Sequence, residues 1–130
     1  MSKNTTRVKT EEEIQAMRGG GKMLAEVLEF VRLNTKVGMT TKEVADMARA
    51  KLKELGGEPA FEGYRGFPDV MCIAVNEEVQ HTIPGDRIIN DGDTVNCDFG
   101  DLWKGLITDA ATTFPAGKIR AEAQNLLDGV

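Results

Sequence analysis

The sequence predicts an α+β fold, with two long helices packed on one face of a mostly antiparallel sheet. Two observations carry this. Apolar residues recur at helical spacing behind two capping-box openings, Thr10-Glu11-Glu12-Glu13 and Thr40-Thr41-Lys42-Glu43. Further on, Thr94 to Thr113, TVNCDFGDLWKGLITDAATT, alternates with period two and reads as a β-hairpin. At 130 residues, 41% of them hydrophobic, the chain is one small domain or part of a larger one, with enough apolar surface for a core.

Residues 1–9 read as a frayed polar arm. In the first helix Thr10 caps, Glu13 bonds back, and three acids complement the positive helix end. Its apolar positions are Ile14, Met17, Met23, Leu24, Val27, Leu28 and Val31. Gly19-Gly20-Gly21 interrupts them at a cost of roughly 3 kcal/mol relative to alanines. Such a triplet marks either a close backbone approach or a break between two helices. The second helix follows Thr40, with Val44, Met47, Ala48, Leu52 and Leu55 as its stripe and Gly56-Gly57 as its end. Its charged residues, Lys42, Glu43, Asp46, Arg49 and Lys53, read as a solvated face.

Glu58 to Asp69, EPAFEGYRGFPD, is loop-like, and its aromatics are either satellite core or the wall of a pocket. Val70 to Val75 is a short apolar strand. Asn76-Glu77-Glu78 is a turn, and Val79 and His81 start a second short segment. Pro84-Gly85-Asp86 and Asn90-Asp91-Gly92-Asp93 are further turns. In the hairpin, Leu102 to Gly105 is the expected turn and Ile107 to Thr113 the return strand. Phe114 to Gly117 ends that strand. A last helix starts at Ala121 and has less than two turns before Val130, which suggests that the polypeptide continues or is a fragment.

Composition excludes several functions. The net charge is −5, and no run of Lys or Arg forms a stripe, so a nucleic-acid partner is not favoured. No apolar segment follows the N-terminal charges and no run reaches membrane-spanning length, so neither a signal peptide nor a membrane association is expected. Cys72 and Cys97 sit in apolar strand patterns and read as buried free thiols, which suits a reducing cytoplasm. His81 is the single histidine, so no multi-histidine metal site can be completed within the chain.

A hairpin symmetric about Trp103-Lys104 sets Asp98 opposite Asp109. Like charges directly opposite on neighbouring strands destabilise a sheet, and a divalent cation between them is the economical remedy. Asp86, Asp91, Asp93 and Asp101 read as turn residues instead. The glycine triplet has no Walker-type context and is not a phosphate cradle.

Taken together these stretches resemble the type I methionine aminopeptidases over nearly the whole chain. EEEIQAMRGGGKMLAEVLEFV and GMTTKEVADMA are similar to that family's first two helices. FEGYRGFPDVMCIAVNEEVQHTIP is similar to its stretch leading to a substrate-site histidine. INDGDTVNCDFGDLWKGLITDAATTF is similar to its first metal hairpin, and AEAQNLLDGV to the helix leading into its second half. The resemblance implies that residues 1–130 are the N-terminal half of a pita-bread fold, whose second half supplies a histidine and two glutamates for the metals and a further histidine for the substrate.

The resemblance also implies roles for single residues. Asp98 would bind one of two divalent metal ions (Mn, Fe, Co or Zn), and Asp109 would bridge both. His81 would contact the substrate beside the scissile amide. Tyr64, Cys72 and Phe67, with Phe61 nearby, would line the methionine pocket, and Asn76 would lie beside a monovalent cation. The implied activity is metal-dependent removal of the initiator methionine from nascent polypeptides in the cytoplasm. The missing half would come from a continuation, a second chain or a homodimer. Arg65 departs from the family, since many relatives carry histidine there. Two rival readings stand beside this one. One is a non-enzymatic half-fold binding module. The other is a proline-specific metallopeptidase, to whose sequences TTFPAGK is faintly similar.

Overall fold

The computed structural model describes residues 7–129. The arm expected over 1–9 therefore falls mostly outside the described residues. Helix α1 spans Glu11–Asn34, α2 Thr41–Glu54 and α3 Ala121–Asp128. The strands are β1 Glu58–Pro59, β2 Met71–Val75, β3 Thr94–Trp103 and β4 Leu106–Pro115. A single 3-10 turn covers Tyr64–Gly66. The segment around Val79 and His81 forms no strand. With eight residues, α3 makes slightly more than two turns rather than fewer.

Both capping boxes form. At α1 the Glu13 amide donates to Thr10 Oγ1 at 3.2 Å, and the Thr10 amide donates to Glu13 Oε2 at 2.8 Å. At α2 the Glu43 amide donates to Thr40 Oγ1 at 3.2 Å, and the Thr40 amide donates to Glu43 Oε2 at 2.7 Å. Gly56, at φ 85°, ends α2 in the left-handed conformation that glycine takes most easily.

All pairings in the sheet are antiparallel, and β3 is its centre. Along one edge of β3, β4 pairs from Thr94 to Trp103. On the other edge β2 pairs with Val95 to Phe99 and β1 with Asp101 and Leu102. Alternation along β3 turns Val95, Cys97 and Phe99 inward, where each is fully buried. They pack with Leu24, Val27 and Val31 of α1, Val44, Ala48 and Leu52 of α2, and Met71, Ile73 and Val75 of β2. The helices thus cover one face of the sheet, and Asn96 and Asp98 point to the other.

The glycine triplet lies within an unbroken helix, so the close-approach reading applies. A Cβ on Gly20 would stand 3.2 Å from Asp101 Oδ2 and 3.4 Å from Thr108 Oγ1, and one on Gly19 would stand 3.3 Å from Trp103 Nε1. The hairpin therefore rests directly on the helix backbone. Gly21 faces open space and takes no part in this contact.

The hairpin register differs from the expected one. Trp103 pairs with Leu106, leaving Lys104-Gly105 as a two-residue turn with φ 51° and 77°. Two consecutive positive φ values are the signature of the turn that matches strand twist. Trp103 belongs to the strand because its ring packs under α1. Asp98 consequently pairs with Ala111, and Asp109 with Gly100. The two carboxylates are diagonal neighbours on one face, not directly opposite.

Candidate functional site

On the face opposite the helices lies a cleft of about 590 Å³. Its walls include Asp98, Asp109, His81, Tyr64, Cys72 and Phe67, so these six residues singled out in the sequence line one cavity. Phe61, Pro68 and Ile83 complete the apolar lining.

The sheet supplies the floor. Asp98 lies between Cys72 of β2 and Ala111 of β4, and Asp109 projects beside it from β4. Burial pushes the Asp98 carboxyl above its ordinary range, and the neighbouring Asp109 charge pushes it further; His81 pulls the other way. Among the described residues no Lys or Arg forms an ion pair with either aspartate. Two adjoining carboxylates without a cationic partner suit a hard or borderline divalent ion. No three His, Cys, Asp or Glu side chains among the described residues gather into a metal cluster, so the donor set is incomplete.

Cys72 is buried, and its thiol is pushed up to about 11 by burial first and then by the charges of Asp98 and Asp109. It stays protonated at neutral pH and serves as a soft apolar wall, not as a nucleophile. Cys97, on the core side, is pushed up to about 12 by burial. Both thiols are free.

The other wall comes from loops held in uncommon conformations. His81 is exposed at the cleft with φ 66°, a left-handed value rare outside glycine. The loop carrying Phe61 to Pro68 is clasped to α2. Arg49 bonds Glu62 Oε2 at 2.7 Å and Asp69 Oδ1 at 3.4 Å, and Lys42 reaches Asp69 Oδ2 at 3.0 Å. Asp69 also accepts from the Val70 amide at 2.7 Å. The face of α2 expected to be merely solvated thus anchors a cleft wall. Gly100 seats Phe61, because a Cβ there would stand 2.6 Å from Phe61 Cε1.

Asn76 does not line the cleft. Its amide donates to Asp93 Oδ1 at 2.7 Å and accepts from the Thr94 amide at 2.9 Å, which closes the turn before β3. Asp91 and Asp93 are turn residues as expected, accepting from the Lys118 and Asn90 amides.

Asp101 is not a turn residue. It lies in β3, fully buried, with its partner Thr108 directly across on β4. Thr108 Oγ1 donates to Asp101 Oδ1, while Oδ2 has no hydrogen-bond partner among the described residues. The alternation of Val95, Cys97 and Phe99 was the signal for this, since it turns Asp101 inward with them. Burial raises this carboxyl above its ordinary 3.8, outweighing the bonds from Thr108. A carboxyl raised in the fold contributes stability that is complete below the ordinary value and lost as pH rises through the raised one. Asp101→Asn should remove that decline. Urea unfolding between about pH 4 and pH 8 should show the variant gaining on the parent as pH rises, and parallel curves would refute this.

A model of metallopeptidase family M24 matches residues 15–130. Methionine aminopeptidase 1 of Bacillus subtilis is 38% identical over 120 residues, which cover 92% of this chain and 48% of that protein. The crystal structure of methionine aminopeptidase from Thermotoga maritima superposes with a TM-score of 0.91 at 35% identity, covering 95% of this chain and 50% of the other. Prolidase from Pyrococcus furiosus superposes at 0.81 with 23% identity, a likeness of fold alone, over 93% of this chain and 34% of that one. The chain spans about half the length of the curated relatives it matches.

Proposed function

Because the chain belongs to metallopeptidase family M24, we propose that residues 1–130 form the N-terminal half of a catalytic domain that removes the initiator methionine from new polypeptides. The observation that carries this reading is the meeting of Asp98, Asp109 and His81 with an apolar wall in one cleft. Asp98 and Asp109 would hold divalent cations, with the remaining donors supplied from outside these residues. Such cations, when bound, lower the pKa of water and polarise a carbonyl.

The chain's own residues would do the positioning. Phe61, Phe67, Pro68 and Cys72 offer a soft apolar surface suited to a methionine side chain. His81, exposed beside the aspartates, would hydrogen-bond the peptide and orient it. The protonated Cys72 thiol adds no competing nucleophile. No helix among the described residues is long and apolar enough to cross a membrane. The two free buried thiols favour a reducing compartment such as the cytoplasm.

A chimera in which this chain stands in for the matching half of the Bacillus subtilis relative tests the reading. With Mn2+ or Co2+ it should release methionine from Met-Gly peptides and leave Xaa-Pro peptides intact, and Asp98→Ala should abolish release. A folded, metal-binding chimera that spares Met-Gly peptides would contradict the proposal. Cleavage of Xaa-Pro peptides instead would favour the proline-specific reading.

A further inference from the structure

The loop that walls the cleft is bonded mostly to itself. Tyr64, Arg65, Gly66, Phe67 and Pro68 all line the cavity. Among the described residues, the main-chain hydrogen bonds of residues 61–67 close within that span: the Tyr64 amide donates to Phe61, Gly63 to Phe67, Gly66 to Gly63 and Phe67 to Tyr64. Side-chain bonds from residues 61–69 to another element go to α2 alone. There Arg49 grips both ends of the loop. Its Nη1 donates to Glu62 Oε1 at 2.8 Å and Oε2 at 2.7 Å, and its Nη2 reaches Asp69 Oδ1 at 3.4 Å. Arg49 itself lies outside the cleft lining.

The two ends of the grip differ. Asp69 is buried, and without Arg49 it keeps the Lys42 ammonium at 3.0 Å and the Val70 amide at 2.7 Å. Glu62 is exposed, and among the described residues Arg49 is its one side-chain partner. Loss of Arg49 therefore leaves no buried charge unpaired and frees the Glu62 end of the loop. A guanidinium suits the double grip, because its planar fork offers separate donors to two carboxylates. A loop that samples several positions binds a ligand only in the fraction of time it holds the competent one. Resting on the function proposed above, we infer that Arg49 is a positioning residue: by clasping Glu62 and Asp69 from outside the cleft, it holds the wall carrying Tyr64 and Phe67 in the shape that prefers a methionine side chain.

The test is an NMR titration of the chain with L-methioninamide and L-alaninamide. Both carry the same ammonium and amide, so their affinity ratio reports the apolar wall. Arg49→Ala should weaken methioninamide about two- to fivefold, the scale of one partly exposed ion pair, and leave alaninamide unchanged. Arg49→Lys should restore part of the loss, and Glu62→Gln should give a loss of the same kind without touching α2. Raising the salt should lower the ratio in the parent and not in Arg49→Ala, because the clasp is screened. Lys51→Ala removes ion pairs to Glu26 and Glu54 that do not involve the loop, and it should leave the ratio unchanged. A full methionine preference in Arg49→Ala and Glu62→Gln, or an equal loss for both amides, would overturn the inference while the methionine-site reading stands. A parent chain that does not prefer methioninamide would overturn that reading, and the inference with it.

Discussion

Gly20→Val should destabilise the fold by about 2 kcal/mol or more, within the range for overpacking a tight interior contact. Even a Cβ at this position would meet Asp101 Oδ2 at 3.2 Å and the Thr108 and Trp103 side chains at 3.4 Å. Valine adds two more carbons to that contact, and Asp101 is fully buried. The hairpin would have to lift from α1, carrying Asp98 and Asp109 with it. Gly21→Ala is the matched control. It lies one residue on in the same helix with nothing within 4 Å, so alanine should stabilise the chain by about 0.5–1 kcal/mol through helix propensity alone. Urea unfolding of both variants checks the pair. A neutral Gly20→Val would mean that the hairpin is not seated on this helix.

Asp98→Ala should reduce Mn2+ affinity by at least about tenfold, since loss of even an outer partner of a metal ligand costs that much. Asp109→Ala should do likewise. Both carboxylates face the cleft from adjacent strands, and among the described residues neither has a Lys or Arg partner to make a cation superfluous. Asp86→Ala, at an exposed position outside the cleft, should change nothing. Protons compete with the metal at Asp98, whose carboxyl is raised by burial and by Asp109. Affinity should therefore rise as pH climbs through that raised value. Calorimetric titration of the parent and the three variants checks both statements.

Much of this arrangement was legible in the sequence, because it rests on local rules. Thr10 with Glu13 and Thr40 with Glu43 mark the helix starts, and both boxes close as their spacing requires. The gathering of His81, Asp98, Asp109, Tyr64, Cys72 and Phe67 follows from matched motifs instead, since no local rule brings residues spread from position 64 to position 109 into one cleft.

What escaped the sequence depended on tertiary contact. A hairpin centred on Trp103-Lys104 sets the turn one residue early, because Trp103 is held in the strand under α1 by the room that glycine leaves. That single shift moves Asp98 from Asp109 to Ala111, so the two charges meet diagonally instead of directly across. Asp101 reads as a turn residue in the sequence because composition outweighs strand period at the hairpin end. Arg49 and Lys42 looked like a solvated helix face because their partners, Glu62 and Asp69, come from a later loop.

The central claim is that Asp98 and Asp109 together hold a divalent cation at the floor of the cleft. Paramagnetic broadening of backbone amide signals by Mn2+ tests it most directly. Amides of Asp98, Asp109, Cys72 and His81 should broaden first, and the effect should vanish in Asp98→Ala and Asp109→Ala. Broadening centred on Glu11 to Glu13 or on Asp91 to Asp93, unchanged by either substitution, would contradict the claim.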